Sequence, residues 1–268
     1  MRAMGKGWAK GLTAATDPRV ARMAATRRGR RRGAYARKGE GSSTPVWEWT
    51  PDTAYAVGLL ATDGNLSSSG RHISLSSKDR EQLLTFLRCV RRTARIGAVR
   101  GGFGTTSLRV QLGDVGLYRW LASIGLHPRK SHTLAAIAAP DAVFPHLLRG
   151  LLDGDGSIID VTYEGTGKAA GRRYRTLLVR FISASRPHVA WLQQRIHALF
   201  GLSGSVTATN GIYRLTFAKS SSLRLLEVIY PGPDVPCLAR KREIWIRFVR
   251  EGGVLVGDPA VQSTSPPR

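Results

Sequence analysis

Two short segments match one another position by position, and they constrain the fold more than any other feature. Ala56-Val57-Gly58-Leu59-Leu60-Ala61-Thr62-Asp63-Gly64 and Leu148-Arg149-Gly150-Leu151-Leu152-Asp153-Gly154-Asp155-Gly156 share the first Gly, the Leu-Leu pair, the last Asp and the final Gly. Asp63 and Asp155 stand 92 positions apart, room for one small αβ unit between them. Each segment reads as a buried helix that ends on a carboxylate, its final Gly taking the left-handed conformation that closes a helix. Gly58 and Gly150 each cost about 1 kcal/mol in a helix interior. Close approach of a second helix, where a Cβ would clash, compensates that cost. If the two segments face each other through these glycines, their C-terminal ends bring Asp63 and Asp155 together. The plainer alternative is two apolar core helices that each stop at Asp-Gly.

A carboxylate is poorly placed at a helix C-terminus, where the macrodipole is negative. Two of them side by side repel. A divalent cation resolves both problems, because carboxylates and carbonyls are the oxygen ligands of Mg²⁺. Asp63 and Asp155, with Thr62 and Gly154 just before them, are therefore the candidate metal ligands on a pseudo-twofold axis.

These residues resemble the paired motifs of the LAGLIDADG homing endonucleases in their single-chain form. The second copy, LRGLLDGDG, is a close match; the first, AVGLLATDG, departs at its sixth position, where Ala61 replaces the usual Asp. The eighth position, the family's metal-binding acid, is kept in both. The resemblance runs from roughly Pro51 to Arg250. It implies an α+β fold of two pseudo-symmetric αββαββα units packed through the motif helices, each with an antiparallel sheet forming half of a DNA-binding saddle. It also implies about two or three Mg²⁺ ions at the dyad, a monomer, and a double-strand break with 3′ overhangs in double-stranded DNA. The family often carries a Lys late in each unit. Lys241 fits that pattern and Lys130 is its counterpart by repeat position, both as cations beside the scissile phosphate. Helix-end charge pairing is the alternative for each.

Composition points the same way. Lys plus Arg number 41 against 18 Asp plus Glu, a net charge of +23. That excess suits a polyanion, and a long nucleic-acid footprint in particular. No stretch approaches the ~18 apolar residues needed to span a bilayer. Cys89 and Cys237 make neither a disulfide framework nor a zinc spacing. The expected location is the cytoplasm, on bacterial or phage DNA. An Arg-rich, acid-poor leader leaves the organellar matrix open.

Along the chain, residues 1–44 read as a basic arm with a helix start at Asp17-Pro18. Its Arg27-Arg28-Gly29-Arg30-Arg31-Arg32 run offers Arg30 and Arg31 as DNA contacts, or forms a solvated leader. The first unit is expected at 45–135, the second at 136–250, and a Pro/Ser-containing tail without order at 251–268. Asp141 reads as the cap of the second motif helix, and Asn210-Gly211 is the best short turn signal. Gly101-Gly102-Phe103-Gly104 lies between strands and reads as a turn, not a phosphate cradle.

Strand alternation places apolar side chains against helices and polar or basic ones toward DNA. Arg71 and His72 in the first unit, and Arg173, Arg175, Arg180 and Arg214 in the second, are candidates to read bases or touch phosphate, with solvent the alternative for each. Gln111 and Ser183 lie on strands where polar groups order water. The expected activity is Mg²⁺-dependent, site-specific DNA cleavage. An RNA maturase or a transcription regulator on the same scaffold is the non-cleaving alternative. An intein-embedded nuclease is not expected, since no terminal His-Asn pair is present.

Overall fold

A computed structural model describes residues 12–13, 15–29, 46–100, 106–167 and 170–252. The chain divides into two compact units, Met1–Pro45 and Val46–Arg268. In the first, helix α1 (Pro18–Gly29) starts where Asp17 Oδ1 accepts the Arg19 amide at 2.7 Å, the capping expected of Asp before Pro. Arg30 and Arg31, the glycine-rich stretch at 101–104 and most of the expected tail lie outside the described residues.

The second unit contains two halves of one build. The first half runs α2 (Pro51–Thr62), β1 (Gly64–Leu66), β2 (Ile73–Ser77), α3 (Arg80–Cys89), β3 (Gly97–Arg100), β4 (Thr106–Leu112) and α4 (Val115–Ser123). The second runs α5 (Phe144–Asp153), β5 (Ser157–Glu164), β6 (Arg173–Ser183), α6 (Arg186–Phe200), β7 (Ser205–Thr209), β8 (Ile212–Phe217) and α7 (Lys219–Ile229). Each half has one antiparallel sheet, in the orders β1-β2-β4-β3 and β5-β6-β8-β7. The fold is thus α+β, with the repeated order expected. The repeat breaks at its end. The second half continues into helix α8 (Ala239–Arg250), whereas the matching place in the first half holds a single 3₁₀ turn, Lys130–His132.

Helices α2 and α5 form the centre. A Cβ on Gly58 would lie 2.5 Å from the Leu147 carbonyl oxygen and 2.7 Å from Gly150 Cα. One on Gly150 would run into the Tyr55 carbonyl oxygen and lie 2.9 Å from Gly58 Cα. The two glycines therefore let the backbones touch. Around that seam Leu59, Leu60, Leu147, Leu148 and Leu152 are almost wholly buried, each contributing about 1.5–3 kcal/mol.

The closing glycines act differently from expectation. Neither Gly64 nor Gly156 has a positive φ. The chain instead folds tightly back over its own helix. A Cβ on Gly64 would meet the Leu60 carbonyl oxygen at 2.5 Å, and one on Gly156 the Leu152 carbonyl oxygen at 2.7 Å.

Thr50 caps α2 in a reciprocal capping box with Thr53, and Pro51 opens the first turn. Asp141 does not cap α5. It begins a 3₁₀ turn, Asp141–Val143, and its carboxylate pairs with Arg195 at 2.5 Å; Val143 holds the cap position with no side-chain bond.

On the helix-facing side, the sheets supply Ile73, Leu75, Val110 and Leu112 from the first half, and Leu177, Val179, Phe181, Leu215 and Phe217 from the second. The segment 133–140 that joins the halves is tied to both. The Ala138 amide donates to the Ile124 carbonyl at 3.0 Å. From α6 and the residue before it, the Ser185 hydroxyl donates to Leu134, His188 Nδ1 to the Ala135 carbonyl at 2.8 Å, and Arg195 to the Ala139 carbonyl at 2.8 Å. No described helix is long and apolar enough to cross a membrane.

Candidate functional site

The C-terminal ends of α2 and α5 meet. A Cβ on Gly154 would collide with the Thr62 hydroxyl and lie 2.7 Å from Thr62 Cβ. Asp63 and Asp155 follow these two residues, so both carboxylates emerge at the junction, where they reach solvent. Desolvation, reinforced by the charge of Asp155, pushes Asp63 up to about 6, and desolvation raises Asp155 as well. A neighbouring carboxylate raises an acid in this way.

Two buried lysines flank the acids. Lys241, in the first turn of α8, donates through Nζ to the carbonyls of Leu152 at 2.7 Å, Asp153 at 2.9 Å, Gly154 at 2.8 Å and Gly156 at 2.8 Å. Lys130 donates to the Gly64 carbonyl at 2.5 Å. Burial lowers both to about 8, against the pull of the carboxylates. Each ammonium thus sits on the negative end of a motif helix. The sequence reading placed charge near the acids. Both ammonium groups sit at helix ends, as the charge-pairing alternative has it, and the particular carbonyls they engage come only from the fold.

Of the other two expected ligands, the Gly154 carbonyl accepts from Lys241 and the Thr62 hydroxyl donates to the Leu59 carbonyl at 2.9 Å, and each oxygen keeps a lone pair. Among the described residues no group of three or more His, Cys, Asp or Glu could hold a metal. The Asp63–Asp155 pair still suits Mg²⁺, which binds through one or two carboxylates and takes its other oxygens from water and substrate phosphate.

Sequence reasoning missed a buried network behind the site. Asp153, at the sixth motif position, is 1% exposed. Its carboxylate accepts from the Tyr55 hydroxyl at 2.9 Å, the Tyr230 hydroxyl at 3.1 Å and the Leu238 amide at 2.7 Å. Burial still pushes it up to about 6, even with these donors lowering it. One turn earlier, the wholly buried Arg149 donates to the Pro236 carbonyl at 2.7 Å and the Ile229 carbonyl at 2.6 Å. Together Asp153 and Arg149 hold residues 229–238, the segment that delivers Lys241. The first half has Ala61 where Asp153 stands, and no such clamp among the described residues. The signal was available: an Arg and an Asp four residues apart inside an apolar run must find buried partners.

The open faces of the sheets carry fewer of the expected arginines. Arg180 pairs with Thr216 across the ladder and Ile182 with Arg214. These positions alternate with buried Val179, Phe181 and Leu215, so Arg180 and Arg214 lie on the face away from the helices. Arg175 does not. It shares the side of Leu177, pairs with Asp160 at 2.5 Å and Glu251 at 2.9 Å, and lies 5.0 Å over the Phe248 ring. Arg173 has the same parity and is likewise on the helix side, at the exposed end of β6. Arg71 and His72 are exposed in the β1–β2 turn. Arg109, not singled out from sequence, stands on the open face of the first sheet and donates to Ser76 Oγ at 3.0 Å. Gln111 shares that face, opposite Ser74.

A cleft of about 360 Å³ runs beside Asp155, lined by Thr62, Lys130, Ser131, Ile182, Ser183 and Ile212. It brings β6 and β8 to Asp155 and gives Ser183 a place in the same cleft.

No protein-family model matches the sequence, and no curated protein matches it. Solved structures do. The LAGLIDADG meganuclease I-AabMI bound to uncleaved DNA is 14% identical with a TM-score of 0.53, over 76% of this chain and 91% of that one. The homing endonuclease I-WcaI bound to its DNA recognition sequence is 12% identical with a TM-score of 0.51, over 74% and 88%. Full-length DUF199/WhiA from Thermatoga maritima is 17% identical with a TM-score of 0.48, over 81% of this chain; the chain spans 66% of that protein's length. At such identities the likeness is one of fold.

Proposed function

We propose that this chain, whose fold is that of the LAGLIDADG meganucleases, is a monomeric, Mg²⁺-dependent endonuclease that cuts both strands of a long double-stranded DNA site. The observation that carries the proposal is the coupled pair Asp63 and Asp155, delivered by two glycine-notched helices to the end where the sheets begin. A purely structural helix pair has no use for two desolvated, mutually repelling carboxylates.

Asp63 and Asp155 would hold Mg²⁺. Bound there, the ion supplies acidity to an attacking water and charge neutralisation at the leaving 3′-oxygen. Lys130 and Lys241 fix the helix ends that carry the acids and offset their mutual repulsion. Arg180, Arg214 and Arg109 face the duplex, and the net charge of +23 draws it in. Two motifs supply one acid for each strand.

The test joins the DNA on either side of the gene's own insertion point into a supercoiled plasmid. Linear product with Mg²⁺, none with EDTA, and none from Asp155→Asn that still binds the DNA is the expected result. Specific binding with no cleavage in Mg²⁺ would replace this reading with a non-cleaving regulator on the same scaffold.

A further inference from the structure

The open faces of the two sheets differ in chemistry. In the first half that face presents Ser74, Ser76, Ser107, Arg109 and Gln111, with Val99 its apolar member. In the second half the same face presents Ile159, Val161, Leu178, Ile182 and Ile212 among the polar Ser157, Thr176, Thr207 and Thr216. Register fixes this: Ile159 lies opposite Leu178, Val161 opposite Thr176, and Ile182 opposite Arg214. Tyr163 and Tyr174 extend the stripe, their rings stacked at 5.6 Å.

None of these side chains belongs to the core, which takes Ile158, Leu177, Val179, Phe181 and Leu215 from the alternate positions. Val161 is 39% exposed and Tyr163 52%. Aliphatic residues on an open sheet face, here Ile159, Val161 and Leu178 on one side of the Ser157–Arg180–Thr216 rung and Ile182 and Ile212 on the other, mark a binding surface. Arg180 and Arg214 share the face, and the chain carries a net charge of +23, which selects a polyanion. In the DNA major groove the apolar group that base edges offer is the thymine C5-methyl.

We infer that the two halves read DNA by different chemistry: the first by hydrogen bonds to base edges, the second by packing Ile159, Val161, Leu178, Ile182 and Ile212 on thymine methyls. The second half-site is therefore rich in T·A pairs. This inference rests on the proposed function only in taking duplex DNA as the ligand; it is independent of cleavage.

The test selects binding sites from a randomised duplex pool in EDTA with the full chain. The expected outcome is a site with one T-rich half, identified as the half whose preference changes in Leu178→Ser. Replacing its thymines by uracil removes the methyls and nothing else. Binding should weaken roughly fourfold for each methyl buried, and Ile159→Ser or Leu178→Ser should each lower that sensitivity by about one such step. Uracil in the other half should have no effect. Unchanged binding to the uracil-substituted site overturns the inference and leaves the DNA ligand standing. A pool that yields no enriched duplex removes the DNA ligand, and the proposed function with it.

Discussion

Replacing Gly150 by Ala tests the helix seam on which the site depends. The new Cβ would lie 2.9 Å from Gly58 Cα, 3.1 Å from the Leu59 amide nitrogen, and against the Tyr55 carbonyl oxygen. All three are backbone atoms, so no rotamer change relieves the contact. Carbon atoms rest at about 3.5–4.0 Å, so α2 and α5 must part by roughly 1 Å, which forfeits about a quarter to a half of each dispersion contact across the seam. Overpacking of this kind costs about 1–3 kcal/mol, and a backbone clash belongs at the upper end. The better helix propensity of Ala returns about 1 kcal/mol. A net loss of about 2 kcal/mol lowers Tm by about 4–8 °C for a unit of this size. Circular dichroism melts of the parent, Gly150→Ala, Gly58→Ala and the double variant measure it. Because both glycines serve one contact, the double variant should lose less than the sum of the singles. Cleavage should fall further than stability does, since a displacement near 1 Å at reacting groups costs on the order of 100-fold. A Tm for Gly150→Ala equal to or above that of the parent would refute the close approach of the helices.

The remaining expectations are briefer. Lys241→Met strips an ammonium from four carbonyls and should cost about 3 kcal/mol, at the strong end for charged hydrogen bonds; Lys130→Met, which frees one carbonyl, should cost less, and urea melts of the two distinguish them. Asp63 holds its proton up to about pH 6 in the folded chain against 3.8 as the ordinary value, so without metal its contribution to stability is present at low pH and fades as pH rises from about 4 to 6. Asp63→Asn should flatten that decline and raise Tm at pH 7 in EDTA, while abolishing cleavage; a lower Tm there would contradict the desolvated pair. Arg175→Ala should cost about 1 kcal/mol and leave the salt dependence of DNA binding unchanged, whereas Arg214→Ala should weaken binding and shallow the salt slope by about 1.

Much of the fold could be read in advance because its strongest devices are local. Asn210-Gly211 takes positive φ at both positions, as a two-residue hairpin demands. Thr50-Pro51 starts a helix wherever it precedes an apolar run. Gly58 and Gly150 announced the seam because a glycine inside a good helix needs a reason. Other features depend on what lies across the fold. The side of the sheet on which Arg175 falls was in fact legible, since it alternates in step with Leu177, Val179 and Phe181; its basic character drew the reading toward DNA. The carbonyl partners of Lys241 were not legible, because they gather only when α8 docks on the end of α5. The inequality of the halves was partly legible: Ile244, Trp245, Phe248 and Val249 announce a last helix in the second half, whereas Pro128-Arg129-Lys130-Ser131 closes the first, and only the 3₁₀ turn at Lys130 waits for the folded chain.

The strap at 133–140 sets the rules for rebuilding this molecule. Its amide and carbonyl groups are claimed by Ile124 on one side and by Ser185, His188 and Arg195 on the other. It behaves as a shared keel and not as a tether. A hybrid that grafts a foreign partner onto either half to retarget it must carry this strap together with those four anchoring positions, or the graft will inherit loose ends along its whole midline.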